Sequence, residues 1–570
     1  MSGFYVSSFK EEIELKNVFD DRCTKGRIED GLFVIKRNTL NKFLDDKPFI
    51  RTDSLIVLIE GVVLNKTKLL VKYGFKSFEE LCVGLYNIKG IGFIDELRGP
   101  FSGAICDIKN KKWYFFSSHI GDQFFFYFIC QSGFVIGSQV NYVVDTCKKN
   151  SINLSVNESA IYQMLTYGYM ADDSTYAKEI KRMPGGSILS ISYGGNNLEW
   201  TIKKYCDIKK DYSRFKNASE DELIEAVDTT FRNAVKMEYD KDVEYKYDHY
   251  ADLSGGLDSR MAMWVAHEIS DKHIQLGTWS KSYYLDEKIA RDIAWYWKDE
   301  ILVRQLEDLR YMYDINKEIE LTGGLLLYIG PTGAFRFLES LNYLKFGLRH
   351  TGQIGDVVLG SFAKKSKESK LVYGTGLYSE RYLSKIKCFS SDIINKYEDM
   401  EMYLLNTRGF LCASNHMADR NLFETTSPFF DIDFLQLCVD IPTAIRANHN
   451  LYKKWILKKY PKAARFIWES TGCKINANVI EQKSVNLKKR ITRSVYKKSN
   501  PNHMNPLDYF LMHDKKTSSW MNKWFKYNMD LVYGLVDEET RKDIVGMYKD
   551  GNTIEKCMAM TVVGSLKLYF

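Results

Sequence analysis

Proline is scarce in this 570-residue sequence, at nine residues, which excludes long proline-rich linkers. Paired cysteines are missing: the 11 cysteines are scattered with no Cys-x-x-Cys, which argues against a zinc site or a disulfide framework. Free buried thiols in a reducing cytoplasm are the expected state. Long apolar runs are missing too. The uncharged stretch Leu321 to Phe335 is broken by Gly323, Gly324, Gly330, Pro331 and Gly333 and is too short to span a bilayer. Met1 to Glu12 has neither a cationic start nor an apolar core, so no signal peptide is expected. A net charge of +7 is mild for this length and does not by itself point to nucleic acid. What remains is an ordinary globular composition, 45% hydrophobic and 27% charged, long enough for two or more domains.

The most informative stretch is Leu253-Ser254-Gly255-Gly256-Leu257-Asp258-Ser259-Arg260. Tyr250 to Leu253 reads as a short strand. Met261, Met263, Trp264, Val265 and Ile269 follow with near-helical spacing. Strand, glycine turn and helix together aim backbone N–H groups outward at the positive end of a helix, a cradle for polyphosphate. The spacing differs from the Walker P-loop, because no Lys follows the glycines. A carboxylate inside the turn makes sense if Mg²⁺ lies between Asp258 and the phosphates. The bland alternative is a Gly-Gly turn between buried elements. Around this turn strands and helices alternate: a capping box at Ser219 and Glu222 opens a helix of about five turns, Ile274–Thr278 and Glu300–Val303 read as strands, and Asp286–Trp297 reads as a helix. Such alternation predicts a parallel sheet covered on both faces, with ligands at the carboxyl ends of its strands.

At these residues the chain resembles the ATP-pyrophosphatase (PP-loop) family, and more narrowly its asparagine synthetase-like branch, which includes β-lactam synthetases and lasso-peptide cyclases. The resemblance implies an α/β C-terminal domain of the PP-loop, adenine nucleotide α-hydrolase-like kind. It also implies an α+β N-terminal sandwich like the N-terminal-nucleophile (Ntn) hydrolases. ATP is then contacted by Leu253, Ser254, Gly255, Gly256, Asp258, Ser259 and Leu276. Thr351-Gly352-Gln353-Ile354-Gly355-Asp356-Val357-Val358-Leu359-Gly360 is similar to the family's Ser-Gly-x-Gly-x-Asp-Glu segment. It places Thr351 and Gly352 on ATP and makes Asp356 the second Mg²⁺ carboxylate beside Asp258. Thr426-Ser427-Pro428-Phe429-Phe430-Asp431 resembles Arg-x-Pro-Phe-Leu-Asp. Lys454 aligns with the family's lysine at the α-phosphate, and Lys453 is the alternative if the register slips. Gln353 and Val357 depart from the family, and Gln cannot act as a base, so a substrate pair other than that of asparagine synthesis is expected.

The first half carries short apolar or alternating runs: Leu32–Ile35, Ser54–Val63, Gly103–Cys106, Trp113–Ser117, Phe124–Cys130 and Gly133–Ile136. Leu97 to Asp107, His119 to Asp122 and Met183 to Gly186 are similar in order to segments of the glutaminase domain of asparagine synthetases. The departures fall on its chemistry. Met1-Ser2-Gly3 stands where the family has Met-Cys-Gly, and a Ser hydroxyl is a far weaker nucleophile than a thiolate. Glu60-Gly61-Val62 stands where it has Asn-Gly-Glu, the oxyanion and α-amine contacts. Glutamine hydrolysis is therefore expected to be absent, with residual activity at Ser2 left open.

The expected organisation is an Ntn glutaminase-like domain over 1–211, a PP-loop ATP-binding domain over 212–480, and a basic then helical closing segment over 481–570. Glu481 to Asn500 holds seven cations, among them Lys483 and Lys498, against one acid. A solvated basic helix is the simple reading; a weak contact with an anionic surface through 483–498 is the other. The whole implies a cytoplasmic, ATP- and Mg²⁺-dependent carboxylate–amine ligase acting in a biosynthetic tailoring pathway. Its partners would be a small-molecule, peptide or saccharide carboxylate and an amine or ammonia, and no nucleic acid. A non-catalytic scaffold and a lasso-type macrolactam cyclase are the alternatives; missing paired cysteines and the glutaminase-like first half disfavour a tRNA-modifying enzyme.

Overall fold

The computed structural model describes all residues except 1–2, 16–21, 196, 271, 331–333, 364–376, 387–395, 411–418 and 497–500, and the side chains of Asn421, Arg493 and Tyr496. Ser2, Pro331, Gly333, Lys497 and Lys498 thus lie outside the described residues.

Among the described residues, twelve strands make two antiparallel sheets in the first half. β1 (Gly3–Ser7), β2 (Cys23–Asp30), β3 (Phe33–Leu40), β8 (Phe126–Cys130), β9 (Gly133–Gly137) and β10 (Lys181–Arg182) form one, in the order β10-β8-β9-β1-β3-β2. β4 (Phe49–Arg51), β5 (Leu55–Gly61), β6 (Phe101–Asp107), β7 (Lys112–Ser117), β11 (Ser187–Ser192) and β12 (Glu199–Lys204) form the other, in the order β12-β11-β7-β6-β5-β4. Period-two alternation explains the layering. Phe4, Val6 and Ile35 of one sheet meet Ile56, Leu58, Trp113, Phe115 and Leu189 of the other in one core. The opposite faces are apolar as well and are covered by helices. Leu55, Val57 and Ile59 lie under the helices Lys66–Tyr73 and Phe78–Lys89. Tyr5 and Val135 lie under Val140–Lys149 and Glu158–Tyr167. The expected two-layer sandwich is therefore four layers thick.

β13 (Asp248–Asp252), β14 (Ile274–Ser280), β15 (Ile301–Gln305), β16 (Phe346–His350) and β17 (Thr425–Thr426) form a wholly parallel sheet, in the order β15-β14-β13-β16-β17. The chain lays β14 and β15 to one side of β13 and β16 and β17 to the other. β13 is therefore the topological switch point, and the Ser254–Gly256 turn leaves from its carboxyl end. The capping box at Ser219 and Glu222 is present, and the helix it opens, Glu220–Glu244, runs 25 residues, longer than the expected five turns.

The closing helices Lys515–Leu531, Glu538–Asp550 and Thr553–Tyr569 pack away from the parallel sheet. Met521, Ile544, Met558, Val562 and Leu566 share a core with Ala160, Ile161 and Leu165 of the first half and with Ile315 and Ile319 of the second. The glycine-rich Gly323–Ile329 stretch belongs to the same core: Leu325 to Ile329 are buried in it, and a Cβ on Gly324 would lie 2.0 Å from Ser565 Oγ. It is a packing segment, and none of its described residues lines the cavity at the glycine turn.

Candidate active site

The turn after β13 is locked by its own side chains. Ser254 Oγ lies 3.0 Å from Ser259 Oγ, and the Ser254 N–H donates to Ser259 Oγ at 3.0 Å. The helix Leu257–Ile269 starts at Gly256, so its first N–H groups have no intrahelical partner. Arg260, fully buried, donates to the carbonyls of Gly255 (3.1 Å) and Ile467 (2.6 Å) and ties residues 463–467 to the turn.

The second segment meets the turn at backbone distance. A Cβ on Gly352 would lie 2.2 Å from the Ser259 nitrogen, and one on Gly355 would lie 2.6 Å from Asp258 Cγ. Only glycine permits this approach. Between them Ile354 is held at φ 58°, a left-handed conformation that a β-branched residue adopts at a cost. The approach delivers the Asp356 N–H to Asp258 Oδ2 at 2.9 Å, across 98 residues of sequence. Tyr452 donates its hydroxyl to Asp258 Oδ1 at 2.9 Å. Burial, then the facing Asp356 carboxylate, push the Asp258 carboxyl well above the usual range.

A cavity of about 280 Å³ opens here. Leu253, Ser254, Gly256, Asp258, Ser259, Gly352 and Asp356 line it, together with Gly277, Thr278, Trp279, Asp286, Gln353 and Met504. Three residues expected on ATP stand behind this lining. The Leu276 side chain points into the core, and Gly277 to Trp279, nearer the carboxyl end of the strand, line the cavity instead. Thr351 gives its hydroxyl to the Thr426 carbonyl at 2.9 Å. Gly255 gives its N–H to Asp286 Oδ1 at 2.6 Å.

Lys454 requires a correction. It stands on the outer face of the helix Asn450–Lys459, is 42% exposed, and is ion-paired with Glu220. Helical spacing puts Lys453 on the inner side with His449 and Tyr452. Lys453 is half-buried, its ammonium lies 5.5 Å from the centre of the Trp468 ring, and burial lowers its pKa. Burial also lowers His449, with Asp356 opposing and Lys453 assisting, so His449 lies between the field of Asp356 and that of Lys453. The helix is anchored beneath by Trp455 Nε1, which donates to buried Asp228 at 2.8 Å, and by the Trp455–Phe231 edge contact at 5.1 Å.

Two acids went unnoticed in sequence. Asp286 faces the cavity with its pKa raised to about 6 by burial and then by Glu469. The Glu469 N–H donates to the Gly255 carbonyl at 3.1 Å. The available signal was position: Asp286 opens the helix after the second parallel strand, at the same sheet edge as the turn.

The corresponding region of the first half is closed. Glu60 is buried, accepts the Thr39 hydroxyl at 2.7 Å, and has its carboxyl pKa raised by burial despite Lys47. Val62 is fully buried with Phe43 and Leu348 in an apolar seam between the halves. A neighbouring cavity lined by Gly99, His119, Asp122, Glu238, Thr426 and Asp431 has a volume near 20 Å³, about one water.

Fold and site thus define a two-part chain, a helix-covered β sandwich joined to a parallel α/β unit with a glycine-turn cavity. Residues 45–206 match the glutamine amidotransferase domain family. The chain is 23% identical to asparagine synthetase [glutamine-hydrolyzing] 2 of Bacillus subtilis (strain 168), over 72% of this chain and 61% of that protein, so it spans about three fifths of the curated relative's length. Among solved structures it is similar to glutamine phosphoribosylpyrophosphate amidotransferase from B. subtilis complexed with ADP and GMP, at 10% identity and a TM-score of 0.24, covering 66% of this chain and 83% of that one. It is likewise similar to the allosteric regulatory enzyme of purine biosynthesis, at 10% identity and a TM-score of 0.23, covering 50% and 60%. Its sequence is thus similar to an asparagine synthetase over most of its length, and to the amidotransferase domain over 45–206.

Proposed function

We propose that the chain is an ATP- and Mg²⁺-dependent carboxylate–amine ligase that joins its substrates through an acyl-adenylate. One observation carries the reading: two glycines bring Asp356 onto Asp258 at the N-terminus of a helix, beside a cavity. The donor set fits a hard divalent cation, since two carboxylates share one site and burial has raised one of their pKa values. Asp258 and Asp356 would hold the ion, which when bound supplies charge neutralisation at the phosphates.

This chain's residues do the rest. The turn N–H groups and Ser254 orient the leaving pyrophosphate. Lys453, in place of Lys454, reaches charge developing on the α-phosphorus. The substrate carboxylate oxygen bonds to the α-phosphorus as the α–β bridge breaks and pyrophosphate departs. The amine then bonds to the acyl carbon, the acyl–phosphate bond breaks, AMP leaves, and the amine gives up a proton. Nitrogen comes from ammonia or a substrate amine. The buried Glu60 carboxyl and the sealing of Val62 support absence of glutamine hydrolysis. A tailoring role on a peptide, saccharide or small metabolite follows from Gln353, which offers no base beside the acyl group.

The test is pyrophosphate release across a panel of carboxylates, with ammonia, amines or glutamine as donors. Release with ammonia or an amine is expected. Release only with glutamine would reinstate the first-half site, and no release with any pair would leave the scaffold reading.

A further inference from the structure

The helix Val479–Tyr496 is turned inside out. Ile480, Leu487, Ile491 and Val495 follow at intervals of seven, four and four residues, one stripe along a helix. They are 80%, 59%, 55% and 67% exposed. The face against the protein instead carries Val485, Lys489 and Thr492, all half-buried. Val485 touches the backbone at Gly472, and Lys489 donates to the Ser470 carbonyl at 2.8 Å. Lys483, Lys488 and Arg490 are exposed, and by helical spacing they flank the apolar stripe on both sides.

An apolar stripe bordered by cations is complementary to an anionic lipid surface, where the side chains enter among acyl chains and the cations meet phosphates. Val495, at one end of the stripe, borders a cavity of about 1010 Å³ with Leu511, Met512 and Met521; Ile480, Leu487 and Ile491 stand exposed along the rest of it, an extended aliphatic row that acyl chains bury without a groove. No helix among the described residues is long and apolar enough to cross a membrane, so the helix would lie on the surface. Both ends of the helical excursion return to the ATP cavity. On one side Glu469 bonds to the Gly255 carbonyl. On the other Met504 lines the cavity and accepts the Lys281 N–H at 2.8 Å.

We propose that residues 480–495 dock the protein on an anionic lipid bilayer. The docking surface holds whatever reaction the cavity performs. The full chain is mixed with phosphatidylcholine vesicles and, separately, with vesicles of phosphatidylcholine and phosphatidylglycerol, and sedimented. Binding to the anionic vesicles alone is expected, falling as salt is raised. Leu487→Ser with Ile491→Ser, and separately Lys483→Gln with Lys488→Gln, should each lower the partition coefficient by roughly tenfold or more. These side chains are exposed, so the melting temperature should hold. Equal binding to both vesicle types, binding to neither, or full binding by both variants would overturn the proposal. Capture by soluble polyglutamate without vesicle binding would overturn it in favour of an acidic peptide.

Discussion

The two halves treat their polar groups in opposite ways. Around Glu60 the first half closes: the carboxyl is buried against Thr39, Val62 is sealed under Leu348, and a neighbouring cavity holds about 20 Å³. Around Asp258 the second half stays open: Asp258, Asp356 and Asp286 all face a 280 Å³ cavity. Two glycines and a strained Ile354 maintain a contact that creates like-charge repulsion. Close backbone approach occurs in both halves, at Gly61 as at Gly352, but only beside Asp258 does it bring two carboxylates together at an open cavity, the arrangement a cation site requires.

The contrast breaks most easily at the aspartates. Asp258→Asn or Asp356→Asn should lower pyrophosphate release by roughly 100-fold or more. The melting temperature should not fall, because each change removes one of two facing carboxylates. Glu60→Gln should leave release unchanged. Next come the two lysines. Lys453→Ala should slow turnover by roughly ten- to 100-fold, whereas Lys454→Ala, which loses only an exposed ion pair with Glu220, should change neither rate nor stability measurably.

Matched glycines sharpen the comparison further. Gly352→Ala and Gly61→Ala each force a Cβ into backbone, 2.2 Å from the Ser259 nitrogen and 2.1 Å from the Pro100 carbonyl. Each should cost roughly 1–3 kcal/mol in denaturant unfolding. Only the first should depress the turnover of the folded fraction.

The smallest effect lies at the seam. Lys42 is buried against the carbonyls of Phe346 and Gly347, and burial lowers its pKa to about 7. The unfolded chain therefore binds the extra proton above that pH, and Lys42 makes stability rise from about pH 7 toward 10.5. His350 is opposed by burial but held protonated by Asp242 and Glu238, with its pKa raised to about 9. Its contribution is full below pH 6.5 and is lost as pH climbs through about 9. The two slopes oppose each other between these values. Lys42→Met should leave a net fall in unfolding free energy over that range, and a persisting rise would contradict the assignment.

Much of this was legible in the residues. The glycine turn, the second glycine segment and the alternating strands carry local physics, namely turn geometry and period, and they led to the parallel sheet and to Asp258 with Asp356. What sequence could not show was which side of an element a residue faces. One position on a helix separates Lys453 from Lys454, and one position on a strand separates Leu276 from Gly277, and both were decided by tertiary packing. The closing helices show the same limit: an apolar helix announces that it will be buried, and does not say against what. Asp286 carried only the signal of a helix-opening acid, which caps many helices with no site nearby.

The central claim is that two distant carboxylates hold one divalent ion on ATP, and calorimetric titration of Mg·ATP onto a double-mutant cycle tests it most directly. If the ion is shared, Asp258→Asn and Asp356→Asn should each weaken binding by roughly tenfold or more, and the double variant should be no weaker than the worse single one. Fully additive losses, or binding that neither substitution disturbs, would contradict it.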